Sequence, residues 1–152
     1  MSSELISVTF TDGRQTDTNP LDMRNLAGTT FAVSTRVPGV PGEAFDLMAW
    51  YTAAARDQEG TVNPAPEPTH LLVRAADGFE AVVPKSQLKG ALFQFAIDGM
   101  PLTKGGPLRL YVPDGTSACL NVKSVVSVVL AADDSLGDEA GYGHRHVPRR
   151  VR

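Results

Sequence analysis

The chain has 152 residues, 42% of them hydrophobic and 20% charged, with a formal net charge of −3. That length suits one domain able to bury a core without staples, and the composition is globular rather than disordered. The acidic balance and the scattered basic residues exclude the basic stripe of a nucleic-acid binder, and no apolar run approaches the ~20 residues of a membrane helix.

The first ten residues lack the basic and long apolar regions of a signal peptide. The single cysteine, Cys119, has no internal partner for a disulfide. A reducing, cytoplasmic setting is therefore expected.

In chain order, residues 5–10 alternate and are β-rich, which predicts a strand ending at Asp12-Gly13. Residues 15–20 read as a polar loop. Pro20 to Leu26 reads as a short helix, with Asn19 as N-cap, Pro20 in the first helical position and Gly28 as the stop. Residues 29–37 read as a second strand, closed by the Pro38-Gly39-Val40-Pro41-Gly42 turn. The strongest helical pattern covers residues 43–55. It places Ala44, Met48, Tyr51 and Ala55 on one face, with Leu47 and Ala54 beside them, and Glu43 and Asp46 in the first turn. A polar, proline-bearing loop follows.

From residue 69 strands dominate. Residues 69–75 and 79–83 form a hairpin across Ala76-Asp77-Gly78, and residues 84–88 suggest a helical turn. Further strands are expected over 91–97, turning at Asp98-Gly99, over 108–112 and over 122–131. Beyond Ala132 the composition shifts to paired aspartates, glycines, two histidines and arginines, which reads as a flexible polar tail over 133–152. No internal repeat is visible. The expected class is α+β: a mixed β-sheet domain with few helices.

Chemistry is sparse in the sequence. There is no G-x-S-x-G nucleophile elbow, and a lone cysteine in strand-rich sequence reads as a small buried hydrophobe. His144 and His146 lie two apart in the tail and do not make a metal site, while His70, at the head of an apolar strand, reads as structural. Asp77 and Asp98 precede glycines and read as turn formers. No catalytic residue and no metal ligand is therefore assigned. Anion recognition is the remaining option. Gly105-Gly106 could bring backbone N–H groups close to an anion, with Arg109 and Lys123 as counter-charge.

Three runs carry a family resemblance: Ile97-Asp98-Gly99-Met100-Pro101-Leu102; Gly105-Gly106-Pro107-Leu108-Arg109-Leu110-Tyr111-Val112-Pro113; and Val122-Lys123-Ser124-Val125. Together they resemble the N-G-x-P-L, G-x-P-L-R-L-x-V-P and V-K-W segments of the molybdopterin-binding domain of sulfite-oxidase-type oxidoreductases. Upstream, residues 42–48 and 69–79 resemble that family's helix start and the strand leading to its S-x-D-G-Y turn. The likeness spans roughly residues 20–131.

The resemblance implies a sulfite-oxidase-like fold over residues 1–132, with molybdopterin as cofactor and Arg109 and Lys123 as cofactor-binding positions. It also implies a metal-ligating cysteine at the end of an early strand, but the matching residues 31–42 contain none, and the tryptophan of V-K-W is Ser124. Serine and threonine are poor substitutes for a soft thiolate.

The expectation is thus a diverged, ligand-binding or non-catalytic module, taking a pterin or another small anionic ligand. The alternatives are a molybdopterin-dependent oxidoreductase with an atypical metal shell, and an interaction subunit acting through its tail on a protein partner or a second copy. No nucleic acid and no membrane are expected as partners.

Overall fold

The computed structural model describes residues 5–58 and 66–144. Within them the chain is sheet-rich, with two α-helices. It runs through β1 (Ile6–Thr9), β2 (Gln15–Thr18), α1 (Pro20–Ala27), β3 (Thr30–Ala32), β4 (Glu43–Asp46) and α2 (Leu47–Gln58). There follow β5 (His70–Ala75), β6 (Phe79–Pro84), β7 (Leu92–Ile97), β8 (Met100–Pro101), β9 (Arg109–Tyr111), β10 (Val125–Ala131) and β11 (Gly141–His144). None of the described helices is long and apolar enough to cross a membrane.

The strands form two sheets. The first has the order β11-β6-β5-β10-β1-β2, and among the described residues its one parallel pair is β1 with β10, Val8 lying opposite Val128. The second runs β3-β4-β7. The far edge of β7 is shared by β8, opposite Ala96 and Ile97, and β9, opposite residues 92–94. Alternation sets the inward faces: Leu71 and Val73 of β5, Ala81 and Val83 of β6, and Val128 and Leu130 of β10 are all buried. A register shift between Val125 and Ser127 lets Val125 point inward as well, since one inserted residue resets the alternation. These side chains meet Phe45, Phe93 and Leu110 of the second sheet in one core cluster.

An unbroken run of ring contacts threads that core, from Phe10 to Tyr51, Trp50, Phe93, Phe45 and Phe95, with centroids 5.8–6.2 Å apart. The opposite face of the second sheet is covered by the 33–42 segment, where Val33, Ala44 and Leu92 form a smaller cluster. Arg36 fastens this cover. It pairs with Asp46 at 2.7 Å, donates to the Gly90 carbonyl at 3.1 Å and lies 4.3 Å over the Phe31 ring.

α1 has the expected caps. Asn19 Oδ1 accepts from the Asp22 N–H, and the Gly28 N–H donates to the Arg24 carbonyl at φ 86°, which glycine adopts readily. The helix expected over 43–55 begins instead at Leu47. Residues 43–46 are a strand paired to β7, and Asp46 Oδ2 caps the helix by accepting from the Ala49 N–H at 2.9 Å. The buried stripe accordingly becomes Leu47, Trp50, Tyr51 and Ala54, at helical spacing.

The strand expected over 29–37 stops at Ala32, where a 3-10 turn over Val33–Thr35 folds the chain back over the sheet. Residues 15–18, expected as loop, pair with β1 as an edge strand. Residues 122–124 of the expected last strand lie outside β10, although Val122 keeps a bridge to Leu110.

Past Ala131 the chain makes a 3-10 turn over Asp134–Leu136 and then pairs β11 with β6. Residues 145–152 of the polar tail lie outside the described residues. His70 is buried and hydrogen-bonds the Gly137 carbonyl through Nε2 at 2.6 Å and Thr69 Oγ1 through Nδ1 at 2.8 Å. The ring thus ties that turn to the head of β5.

Candidate functional site

Sequence reasoning singled out Gly105-Gly106, Arg109 and Lys123, and the fold brings their backbones side by side. The Ser124 N–H donates to the Gly105 carbonyl at 2.8 Å, the Val125 N–H to the Leu108 carbonyl at 2.9 Å, and Leu110 and Val122 exchange both bonds. Neither Arg109 nor Lys123 lines the two cavities described below. Arg109 Nη2 donates to the Lys104 carbonyl at 2.9 Å, closing its own turn, and Arg109 Nε is buried without a partner. Lys123 is exposed.

The glycines serve that turn. Gly105 sits at φ 74°, and a Cβ there would lie 2.3 Å from Arg109 Nε, so only glycine lets the guanidinium pack against this backbone. The peptide from Gly106 to Pro107 is cis.

One further expectation changes. Cys119 is exposed rather than buried. It lies on a 3-10 turn over Ala118–Leu120, where Ser117 Oγ accepts the Cys119 N–H and the turn sends Leu120 inward in its place. Among the described residues no group of three or more His, Cys, Asp or Glu side chains could hold a metal ion. Asp77 and Asp98 act as turn formers. Asp77 Oδ1 accepts the Phe79 N–H, and Asp98 and Gly99, at φ 53° and 77°, carry the tight turn from β7 to β8.

The larger of two described cavities lies elsewhere, and it was not visible in the sequence. A cleft of about 690 Å³ opens between α1, the end of β7 and the 99–107 turn. Phe95 and Ala96 line it from β7, Leu21 from α1, and Pro101, Leu102 and Pro107 from the turn. Its charged groups are Arg24 and Glu43. Arg24 stands 5.9 Å over the Phe95 ring and donates from Nε and Nη2 to Asn25 Oδ1. Among the described residues no carboxylate stands within ion-pair distance of it. Glu43 Oε1 accepts the Gly99 N–H at 2.9 Å, tying the β7–β8 turn to β4.

Exposed large apolar side chains gather at the same place. Leu5 (60% exposed) and Leu21 (57%) line the cleft, and Met100 (64%) lies between its lining residues Gly99 and Pro101.

A smaller cavity of about 370 Å³ lies on the other side of α1, with Trp50 and Phe10 in its wall and Asp17, Asp22 and Asp57 around it. No protein-family model matches the chain, and no curated protein sequence matches it.

Proposed function

We propose that the chain is a non-catalytic, ligand-binding module whose site is the cleft between α1, β7 and the 99–107 turn. The observation that carries this reading is the cleft itself. Its volume of about 690 Å³ falls within the ~300–1,000 Å³ typical of small-molecule sites. Its walls are mainly apolar, and a few polar groups remain to fix orientation, which is the usual composition of such a site.

The scaffold belongs to the same proposal: a diverged sulfite-oxidase-type molybdopterin-binding domain. What supports it is position, since Gly99, Pro101, Leu102 and Pro107 of the resembling runs wall the cleft. The donor set does not fit a metal held by a protein thiolate. Residues 31–42 carry no cysteine, and Cys119 stands exposed on a separate turn. Of the two positions implied for the cofactor, Arg109 is engaged with the Lys104 carbonyl and Lys123 is exposed.

The test has two arms. Titration of isotope-labelled protein with a small-molecule library, followed by amide shifts, should move residues of α1, Phe95 and the 99–107 turn. Protein purified from a host that makes the pterin cofactor should carry no stoichiometric molybdenum or tungsten by elemental mass spectrometry. Either metal at one per chain would replace this reading with that of an oxidoreductase.

A further inference from the structure

We infer that the cleft takes an aromatic monocarboxylate, its carboxylate on Arg24 and its ring against the apolar wall; this rests on the ligand-binding reading above. Three features of the cleft set the class.

The first is the cation. Arg24 is only partly exposed, its hydrogen bonds go to a neutral amide oxygen, and among the described residues no carboxylate lies within ion-pair distance of it. A guanidinium offers a planar fork of donors that matches a carboxylate.

The second is Glu43. One of its oxygens is fixed on the Gly99 N–H, which places a carboxylate in the same cavity as Arg24. A second negative charge on the ligand would meet it, so a monoanion is favoured over a dicarboxylate or a phosphate dianion.

The third is the wall. Phe95, Pro101 and Pro107 are rigid rings, and the exposed Leu5 and Leu21 add apolar surface that a ligand would remove from water. A flat, rigid body loses less conformational freedom against such a wall than an alkyl chain does.

The experiment is calorimetric titration of the full chain with four probes: 2-naphthoate, 2-naphthamide, naphthalene-2,6-dicarboxylate and octanoate. Naphthoate should bind at least about tenfold more tightly than its neutral amide, the range of one charge-assisted hydrogen bond. Arg24→Gln should abolish that preference, Arg24→Lys should keep part of it, and Glu43→Gln should narrow the gap between monoacid and diacid.

If the amide binds as well as the acid, or Arg24→Gln leaves the preference intact, the anion inference falls while the cleft remains a ligand site. If octanoate outcompetes naphthoate, the aromatic assignment falls. If no probe binds and none moves the amides of Phe95 or the 99–107 turn, the inference fails together with the ligand-binding reading. Circular dichroism of each variant separates lost binding from lost folding, and Arg24→Lys keeps the test sharp should Arg24→Gln unfold.

Discussion

Gln94 and Arg109 stand directly opposite each other in β7 and β9, and each holds one buried polar atom with no hydrogen-bond partner, Oε1 of the first and Nε of the second. Gln94 is 1% exposed, and its Nε2 donates to the Pro41 carbonyl at 2.7 Å. An acceptor and a donor left unsatisfied on adjacent positions are a stability cost that the fold carries.

Gln94→Met is therefore expected to be nearly neutral. It loses one hydrogen bond worth about 1 kcal/mol and sheds an unpartnered acceptor costing about 1–3 kcal/mol. Urea denaturation should show a midpoint equivalent to within about 1 kcal/mol of wild type, with an unchanged slope. A loss above about 3 kcal/mol would show that Oε1 has a partner in solution.

Ser124 holds φ 55° in the stretch just before β10. A β-carbon in the left-handed region costs about 1–2 kcal/mol, and glycine recovers most of this less its own entropy of about 0.5–1 kcal/mol. Ser124→Gly should thus stabilise by a few tenths of a kcal/mol, and the β-branched Ser124→Val should destabilise by about 1–2 kcal/mol. Thermal melts that rank valine above glycine would contradict this backbone assignment.

Asp133 caps the 134–136 turn, its Oδ1 accepting from the Ser135 hydroxyl at 2.5 Å and the Ser135 N–H at 3.0 Å. The Ser135 hydroxyl, then the Ser135 N–H, hold its carboxyl below the ordinary value of 3.8. The folded pKa is depressed, so this contribution is present above the unfolded pKa and is lost as pH falls through the folded one. Its window lies below about pH 4. In a carbon-detected titration the Asp133 carboxyl should turn over below the ordinary value of 3.8, and in Asp133→Asn the neighbouring amide shifts should be flat through that range. A midpoint above 4 would remove the cap from the solution structure.

His70→Leu removes the ring that hydrogen-bonds the Gly137 carbonyl and Thr69 Oγ1. A loss of about 2 kcal/mol is expected, with amide hydrogen exchange accelerated in residues 133–144 before the rest of the first sheet. Uniform acceleration would mean that the ring supports the core rather than the turn.

Much of the strand content is readable from local pattern, and the misses have local causes. The 69–83 hairpin and the Asp98-Gly99 turn carry alternation and turn chemistry within a few residues of each other, so the structure agrees with the reading there. Residues 43–46 fail because Glu43 and Asp46 look like first-turn acids. Only pairing with β7, some fifty residues away, makes them a strand, and that contact leaves no local signature. Gln15–Thr18 is missed because a polar edge strand lacks an apolar face. The cleft is the largest omission. Leu21, Arg24 and Glu43 are far in sequence from Phe95 and Pro107, and each looks ordinary alone. The one available hint was Leu21, an apolar residue on the outer side of a capped two-turn helix.

The eight residues of α1 form a party wall. Leu21 and Arg24 belong to the larger cavity, Asp22 and Asn25 to the smaller, and the Arg24–Asn25 hydrogen bonds cross from one lining to the other. A guest that drew the Arg24 guanidinium off Asn25 Oδ1 would free a group that lines the other chamber. Any coupling so produced would be reciprocal: whatever factor the first guest imposed on the second, the second would return to the first.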